Sequence, residues 1–260
     1  MKFRSPDLGM VASAVTLFFL PVSLVPQQPV SHARAVKLSY VSGTVAVKGA
    51  GATKWAKAMV NTPLQEGFEI STSADSFAEV EFENGSTARL GQLSHLTFDQ
   101  LALDPAGDKL NRMTFERGYA TFHILPEKRG AYSIKMARVT LTPMGKSLFR
   151  TDLGKPQARV EVFNGSVEVV GPSSSAKLGK DKVLEFNPGT TEVAFNTRRG
   201  IVKDSWDKWA EARDSQSSLA LKEHAAAVRA LVDEWNEKHL DVSRTGPIQG
   251  MDSSMRFPRP

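Results

Sequence analysis

Residues 78–90 read Ala-Glu-Val-Glu-Phe-Glu-Asn-Gly-Ser-Thr-Ala-Arg-Leu, and this stretch decides the fold class. Apolar and acidic residues alternate strictly before Asn84-Gly85, as they do in a strand with one buried face. An Asn-Gly pair between two such runs is the strongest short-range signal for a β-hairpin, because both turn positions take positive φ. The stretch therefore predicts two antiparallel strands joined by a turn at Asn84 and Gly85.

Similar runs continue on both sides of this hairpin. Asn164-Gly165 lies between the alternating segments 158–163 and 166–170 and predicts a second hairpin turn. Other short alternating segments recur between glycines, and no helical pattern of about ten residues interrupts them, which disfavours a parallel α/β sheet. The pattern predicts a mainly β domain over residues 36–200, of the sandwich, barrel or short solenoid type.

The hydrophobic period changes near Ile201, and residues 201–242 predict two C-terminal amphipathic α-helices with a polar break at 214–218. The first has Trp206, Trp209 and Ala210 on one side. In the second, apolar residues recur at spacings of three and four, namely Leu221, Ala225, Val228, Leu231, Val232 and Trp235. Packing of this stripe on the chain's own sheet is favoured, and the alternative is a partner surface formed by Leu221, Val228, Leu231 and Trp235. Residues 243–260, rich in Gly, Pro, Ser and Arg, are predicted to be disordered.

Residues 1–35 have the parts of a secretory signal peptide. Lys2 and Arg4 precede a short apolar stretch over residues 10–25, and Ala33-Arg34-Ala35 supplies small residues for cleavage between Ala35 and Val36. A periplasmic or secreted location follows. If the segment is not cleaved, the alternative is a domain anchored to the membrane by it. The chain has no cysteine, which excludes disulfides and a thiol nucleophile.

Charge and motif content exclude several functions. The net charge of +5 falls to about +3 without Lys2, Arg4, Arg34 and Asp7, and no basic cluster occurs, so nucleic-acid binding is not expected. The histidines after residue 35 stand singly, without metal-ligand spacing. No catalytic residue, cofactor site or metal site is predicted. Glu79, Glu81 and Glu83 share a strand face, which we expect to be solvated; a glycosidase-like groove on that face is the enzyme alternative.

The segment 64–91 resembles the signature of the FecR domain, in which a Thr-Ser-Ala-rich run leads into an Asn-Gly-Ser hairpin ending in Arg-Leu. Weaker resemblance extends over residues 38–190, through Val41–Val47, Thr142-Pro-Met-Gly145 with Phe149-Arg, and the Val160–Val169 pair. The resemblance implies a short β-solenoid or jelly-roll-like domain outside the cytoplasmic membrane. The namesake proteins sense an outer-membrane transporter and regulate a sigma factor. Their cytoplasmic anti-sigma segment has no counterpart here, and two helices replace their C-terminal α/β subdomain, so that role does not carry over.

These features together predict an exported, non-enzymatic binding or scaffold module of a bacterial cell envelope. Its partner would be an envelope protein or a cell-wall polymer, and the sequence does not indicate an oligomeric state. Two alternatives stay open: a membrane-tethered FecR-like sensor that regulates transcription through a partner, and a carbohydrate-active envelope protein using the Glu79 face. A membrane contact is expected only if the signal segment is uncleaved.

Overall fold

The computed structural model describes residues 34–128, 130–154, 156–190 and 193–242, with side chains omitted for residues 221, 224, 225, 235, 236 and 238–242. The predicted signal segment (apart from Arg34 and Ala35) and the predicted disordered tail lie outside these residues. The described part forms sixteen strands and one helix: β1 Val36–Ser42, β2 Val45–Lys48, β3 Ala56–Lys57, β4 Pro63–Leu64, β5 Glu69–Thr72, β6 Phe77–Glu81, β7 Thr87–Leu90, β8 His95–Leu103, β9 Lys109–Arg117, β10 Tyr119–Ile124, β11 Gly130–Met136, β12 Val139–Asp152, β13 Ala158–Val170, β14 Ser175–Gly179, β15 Lys182–Phe186, β16 Asn196–Arg199 and α1 Ser205–Val242.

Two long bent strands, β12 and β13, divide the sheet into two layers. The first half of β12 pairs with β11 and its second half with β10, while β13 runs beside both halves. Layer one has the order β3-β2-β5-β8-β9-β11, and layer two has the order β10-β7-β6-β1-β4. The pairing of β9 with β11 is parallel and the other described pairings are antiparallel. The predicted mainly β fold is confirmed in its jelly-roll-like form, because a solenoid would stack parallel strands.

The core lies between the two layers. Alternate residues of each strand point inward, as the period-two pattern predicts, and they form one buried apolar cluster that spans both layers. Phe82 at the end of β6 meets Tyr132 of β11 edge to face, with ring centroids 5.2 Å apart. Phe122 and Phe149 stack across β10 and β12 at 5.2 Å. Each fully buried phenylalanine contributes about 1.5–3 kcal/mol to folding.

The hairpin predicted at Asn84-Gly85 is confirmed, with a different turn geometry. β6 and β7 pair antiparallel, and the turn is closed by hydrogen bonds from the Gly85 amide to the Phe82 carbonyl and from the Phe82 amide to the Ser86 carbonyl, both 2.9 Å. Gly85 has a φ of 80°, whereas Asn84 has no positive φ. The turn is therefore a type I turn followed by a glycine bulge, which needs only one left-handed residue.

The hairpin predicted at Asn164-Gly165 is wrong. β13 runs through both residues, and Asn164 pairs with Leu148 of β12 at a register shift. Gly165 has a φ of 75°, and a Cβ there would lie 2.1 Å from the Lys146 carbonyl oxygen. The pair thus forms a bulge that bends β13 from one layer into the other. A positive-φ glycine serves a bulge as well as a turn, so the local motif does not distinguish them.

The predicted break between two C-terminal helices is also wrong, because α1 is continuous from Ser205 to Val242. The polar stretch 214–218 fits the helix by means of local bonds. The Ser215 hydroxyl donates to the Glu211 carbonyl, 3.0 Å away, and Arg213 reaches Gln216. Asp214 is directed toward the sheet and has partners there. Asp214 is thus polar because it pairs with the sheet, whereas residues 215–218 are exposed on a helix that continues through them.

Candidate functional site

A row of polar side chains crosses the outer face of layer two, one from each of five neighbouring strands. Each lies opposite the next in strand register, in the order Glu79, Arg89, Thr121, Arg150 and Glu161. All five are buried. Charged side chains are rarely buried without partners, so this polar row requires complementary charges from another element. The first turns of α1 supply them.

The N-terminus of α1 is fixed over Arg150. Asp204 caps the helix by accepting a bond from the Asp207 amide at 3.1 Å, and Asp207 accepts one from the Asp204 amide at 3.0 Å. This reciprocal arrangement is a capping box with aspartate in the place of glutamate. Arg150 donates to Asp204 at 2.8 Å and to both oxygens of Asp207 at 3.2 Å. One guanidinium therefore joins β12 to the cap of the helix.

The next contact is made by Trp206, which is buried over the middle of the polar row. Its indole N–H donates to Thr121 Oγ1 at 2.8 Å. Trp206 stacks on Trp209 with ring centroids 4.8 Å apart. The cluster around these two rings is completed by aromatic side chains of layer two, namely Tyr40, Phe77 and Tyr119. Aromatic contacts of this kind contribute about 0.5–1.5 kcal/mol each beyond the buried area.

The end of the polar row meets Arg213 and Asp214. Arg213 donates to Glu79 Oε1 at 2.8 Å, while Arg89 donates to Glu79 Oε2 at 2.6 Å and to Asp214 Oδ1 at 2.8 Å. His123 Nδ1 lies 3.0 Å from the same Asp214 oxygen. Guanidinium and carboxylate groups thus alternate along the chain Arg213–Glu79–Arg89–Asp214, which begins and ends on the helix. Each charged group in it is hydrogen-bonded to a group of opposite charge.

The pKa values of these carboxyl groups follow from their partners. Burial alone would raise the pKa of Glu79, but the bonds from Arg213 and Arg89 outweigh burial and bring it below its usual value. The same opposition lowers the pKa of Asp214, where His123 and Arg89 outweigh burial. At Glu161, burial outweighs the nearby Arg159 and Arg150 and raises the pKa. Glu79 beneath α1 and Asp214 within α1 are therefore held in their ionised forms.

The strand face of Glu79, Glu81 and Glu83, which was expected to be solvated, is partly covered by α1. Glu79 is 2% exposed under α1, Glu81 is half-buried and lies 3.8 Å from Lys37, and Glu83 is bound by Arg34. The prediction of a solvated face is therefore wrong for Glu79. The three carboxylates also form no common groove, which removes the geometry that the enzyme alternative needs.

The sequence patterns do not predict that Arg89 and Arg150 bind α1 to the sheet. One signal was available: in a hairpin centred on Asn84, the register places Glu79 opposite Arg89. The covering element could not be identified in the same way, because nothing in the strand pattern shows that a helix more than 100 residues away lies over it.

The distal half of α1 presents a different surface. Val228 is 44% exposed and Leu231 is 65% exposed, and Leu219 and Val232 are exposed as well. The expectation that the stripe packs on the chain's own sheet is therefore wrong for the side chains described. The other two predicted surface residues, Leu221 and Trp235, are in the helix, but their side chains lie outside the described residues.

The sequence of this half arranges the apolar residues and charges on separate faces. Leu221, Ala225, Val228, Val232 and Trp235 are spaced alternately by four and three residues, which gives one seam along a helix. We call this the distal seam. The exposed side chains of Lys222 and Arg229 lie at its flank, with Asp233 on the same patch, and other acidic residues occupy the far side, namely Glu223, Glu234 and Glu237.

Residues at the predicted cleavage point belong to the folded domain. Val36 is buried as the first residue of β1 and pairs with Leu64, and Ala35 donates its amide to Glu83 Oε1 at 3.1 Å. Within the described ranges, no three His, Cys, Asp or Glu side chains are grouped to hold a metal ion. In the same part of the chain, no helix combines the length and apolarity that a membrane crossing requires.

Comparison with known families supports the resemblance found in the sequence. Residues 68–168 match the family described as FecR protein, from the end of the loop before β5 into β13. The matched residues run from β5 into β13 of the β domain, and α1 follows the matched region. No curated protein matches the chain.

Two solved structures are similar to part of the chain. Both are crystal structures of a candidate anti-sigma factor from Parabacteroides distasonis ATCC 8503, each with 16% sequence identity. Their TM-scores are 0.43 and 0.44, and each alignment covers 50% of this chain and 59% of that chain. The alignment therefore spans less than two thirds of the length of those proteins.

Proposed function

We propose that this protein is a non-enzymatic binding module of signalling type in a bacterial cell envelope, and that it binds its partner through the distal half of α1. The FecR match supports the signalling class, and the basic, apolar and small-residue pattern of residues 1–35 supports export. The FecR-type β domain acts as the rigid base from which the helix projects.

The contrast between the two ends of α1 carries this proposal. Its first ten residues are held by buried ion pairs, a cap and an aromatic cluster, whereas the apolar residues described beyond Ser218 are exposed. An isolated helix without apolar packing is marginal in water. Helices commonly bind partners through apolar side chains that recur at spacings of three, four and seven residues along one face. The distal seam has this spacing.

The charges beside the distal seam indicate the chemistry of the partner. Lys222 and Arg229 would lie at the rim of an interface, where they attract carboxylates. A second copy of this chain would bring like charges together at this rim, which disfavours self-association. The occupant proposed is therefore an amphipathic helix of an envelope protein with Asp or Glu beside its apolar face.

The enzyme alternative has no structural basis in the residues on which it depends. Glu79 is covered by α1 and neutralised by two arginines, so a substrate cannot reach it without removal of the helix. The tethered-sensor alternative keeps the predicted signal segment, residues 1–35, as a membrane anchor and regulates transcription through the partner, and it would use the same distal seam.

Paired variants of the full chain test the binding surface. The V228E/V232E double variant places two acidic groups four residues apart in the distal seam, and A226E/A230E places the same two groups with the same spacing on the opposite face. We expect capture of the envelope partner to fall at least tenfold with V228E/V232E and to be unchanged with A226E/A230E. The charge-reversed variant K222E/R229E should also weaken capture, and added salt should weaken capture by the wild-type chain.

Three outcomes contradict the proposal. Equal capture by both double variants would place the site away from the distal seam. Retention of the partner by K222E/R229E would contradict an acidic occupant. Sedimentation of the wild-type chain with phosphatidylglycerol vesicles or purified cell-wall sacculi, lost with V228E/V232E, would assign the seam to a lipid or polymer and not to a protein helix.

A further inference from the structure

Arg34, just before β1, joins the two layers of the domain. Its guanidinium donates to the carboxylate of Glu83 in the β6–β7 turn, with Nη2 to Oε2 at 2.9 Å. On the other side, Nη1 donates to the Ala102 carbonyl in β8 and Nη2 donates to Asn111 Oδ1 in β9, both at 2.9 Å. Arg34 therefore makes four hydrogen bonds to acceptors in layer one and layer two.

These bonds extend from the surface at Glu83 to the buried Asn111. The Arg34 side chain is 4% exposed, and Asn111 is fully buried. The pKa of Glu83, which burial would raise, is lowered by the bond from Arg34. A chain without Arg34 would leave the buried Asn111 side chain, the Ala102 carbonyl and the Glu83 carboxylate without this donor, and a buried polar group that loses its partner destabilises the fold.

Two overlapping sets of small residues could direct removal of the signal segment. Ala33-Arg34-Ala35 directs cleavage before Val36 and discards Arg34, whereas Ser31-His32-Ala33 directs cleavage before Arg34 and keeps it. Both have a small residue at the −3 and −1 positions. The sequence pattern predicts cleavage before Val36, but the contacts of Arg34 favour cleavage before Arg34.

We propose that the working protein retains Arg34, and that the signal segment is removed between Ala33 and Arg34, which leaves Arg34 as the first residue. In this reaction the peptide bond between Ala33 and Arg34 is hydrolysed by a signal peptidase, with water giving the Ala33 carboxylate and the Arg34 ammonium. Arg34 and Ala35 then belong to the folded domain, and the Ala33-Arg34-Ala35 run does not direct processing.

Mass spectrometry of the N-terminal peptide of the full chain, expressed and exported in a bacterial host, tests the proposal directly. A start at Arg34 is expected, and a start at Val36 or later would overturn it. An unprocessed start at Met1 would also overturn the assigned cleavage position.

Two variants distinguish the cleavage sites without relying on folding. Ser31→Leu removes the small residue at −3 of the proposed site and changes only position −5 of the other. Ala35→Leu blocks the other site and changes only position +2 of the proposed one. We expect A35L to be processed normally and S31L to accumulate uncleaved. The reverse pattern would place cleavage before Val36.

Thermal unfolding tests whether the folded domain needs Arg34. Arg34→Gln in the full chain should lower the midpoint of thermal unfolding by at least about 5 °C, because the buried Asn111 side chain, the Ala102 carbonyl and the Glu83 carboxylate lose their donor. Lys37→Gln removes an exposed ion pair three residues away and should leave the midpoint within about 1 °C. Equal midpoints for R34Q and K37Q would show that Arg34 is dispensable.

Discussion

Arg89 has no exposed surface, yet it carries a charge between Glu79 on the neighbouring strand and Asp214 on α1. A buried charge is tolerated when it is paired and hydrogen-bonded, and loss of one member leaves the others uncompensated. The hairpin pattern predicts the pairing of Glu79 with Arg89, because its centre fixes the register. The burial of this pair was not predictable, because it depends on a helix distant in sequence.

We expect Arg89→Ala to lower the free energy of unfolding by about 3–5 kcal/mol, since Glu79 and Asp214 each lose a partner in a buried setting. Urea denaturation monitored by tryptophan fluorescence measures this change. The double variant E79Q/R89A should be less destabilised than the sum of the two single variants, because they remove the same interaction. Additive effects would mean that the two side chains do not act as a pair.

The pH dependence of stability should change in opposite directions at two glutamates of the polar row. The folded pKa of Glu79 lies below its unfolded value of 4.5, so its contribution is present above pH 4.5 and is lost as the pH falls through the folded pKa. The folded pKa of Glu161 is raised, so it contributes added stability as the pH falls through that value toward 4.5.

Glu79→Gln should therefore lose less stability than the wild type between pH 6 and pH 3, and Glu161→Gln should lose more. Urea midpoints at several pH values in this range provide the comparison. A steeper loss in E79Q than in E161Q would contradict the assigned directions.

At the scale of elements, the two Asn-Gly pairs show what a local motif determines. Both place a glycine at positive φ, at 80° for Gly85 and 75° for Gly165. One joins two strands and the other bends a single strand, because β13 remains paired with β12 on both sides of its bulge. Tertiary pairing decides between these outcomes. The polar stretch 214–218 likewise resembles a helix break, but Asp214 pairs with the sheet and residues 215–218 are exposed on the continuous helix.

Gly165→Ala tests the bulge against a matched glycine. Gly165 and Gly145 face the same corner and both have positive φ, but a Cβ at 165 would overlap the Lys146 carbonyl, while one at 145 meets nothing within 4 Å. We expect G145A to cost about 1 kcal/mol from backbone strain alone. G165A should cost at least about 3 kcal/mol, because the backbone at the corner must also move. Similar unfolding free energies for the two variants would contradict the close approach.

At the scale of the molecule, the sequence predicts the mainly β domain over residues 36–200 and its FecR character, because strand alternation and the hairpin signature are local features. It does not predict that α1 is one helix held at one end. That arrangement arises from the register that aligns Glu79, Arg89 and Arg150 across layer two, and from helix residues that match them in charge. The polar row fixes the direction in which the rest of α1 leaves the domain.

Site-directed photo-crosslinking in bacterial cells tests this account most directly. A photo-reactive amino acid is placed at Val228 in the distal seam or at Ala226 on the opposite face of the full chain. We predict a discrete crosslinked product from position 228, joined to an acidic amphipathic segment of an envelope protein, and none from position 226. Crosslinking from position 226 alone, or from a sheet-edge residue such as Thr197 and not from position 228, would show that α1 is not the recognition element.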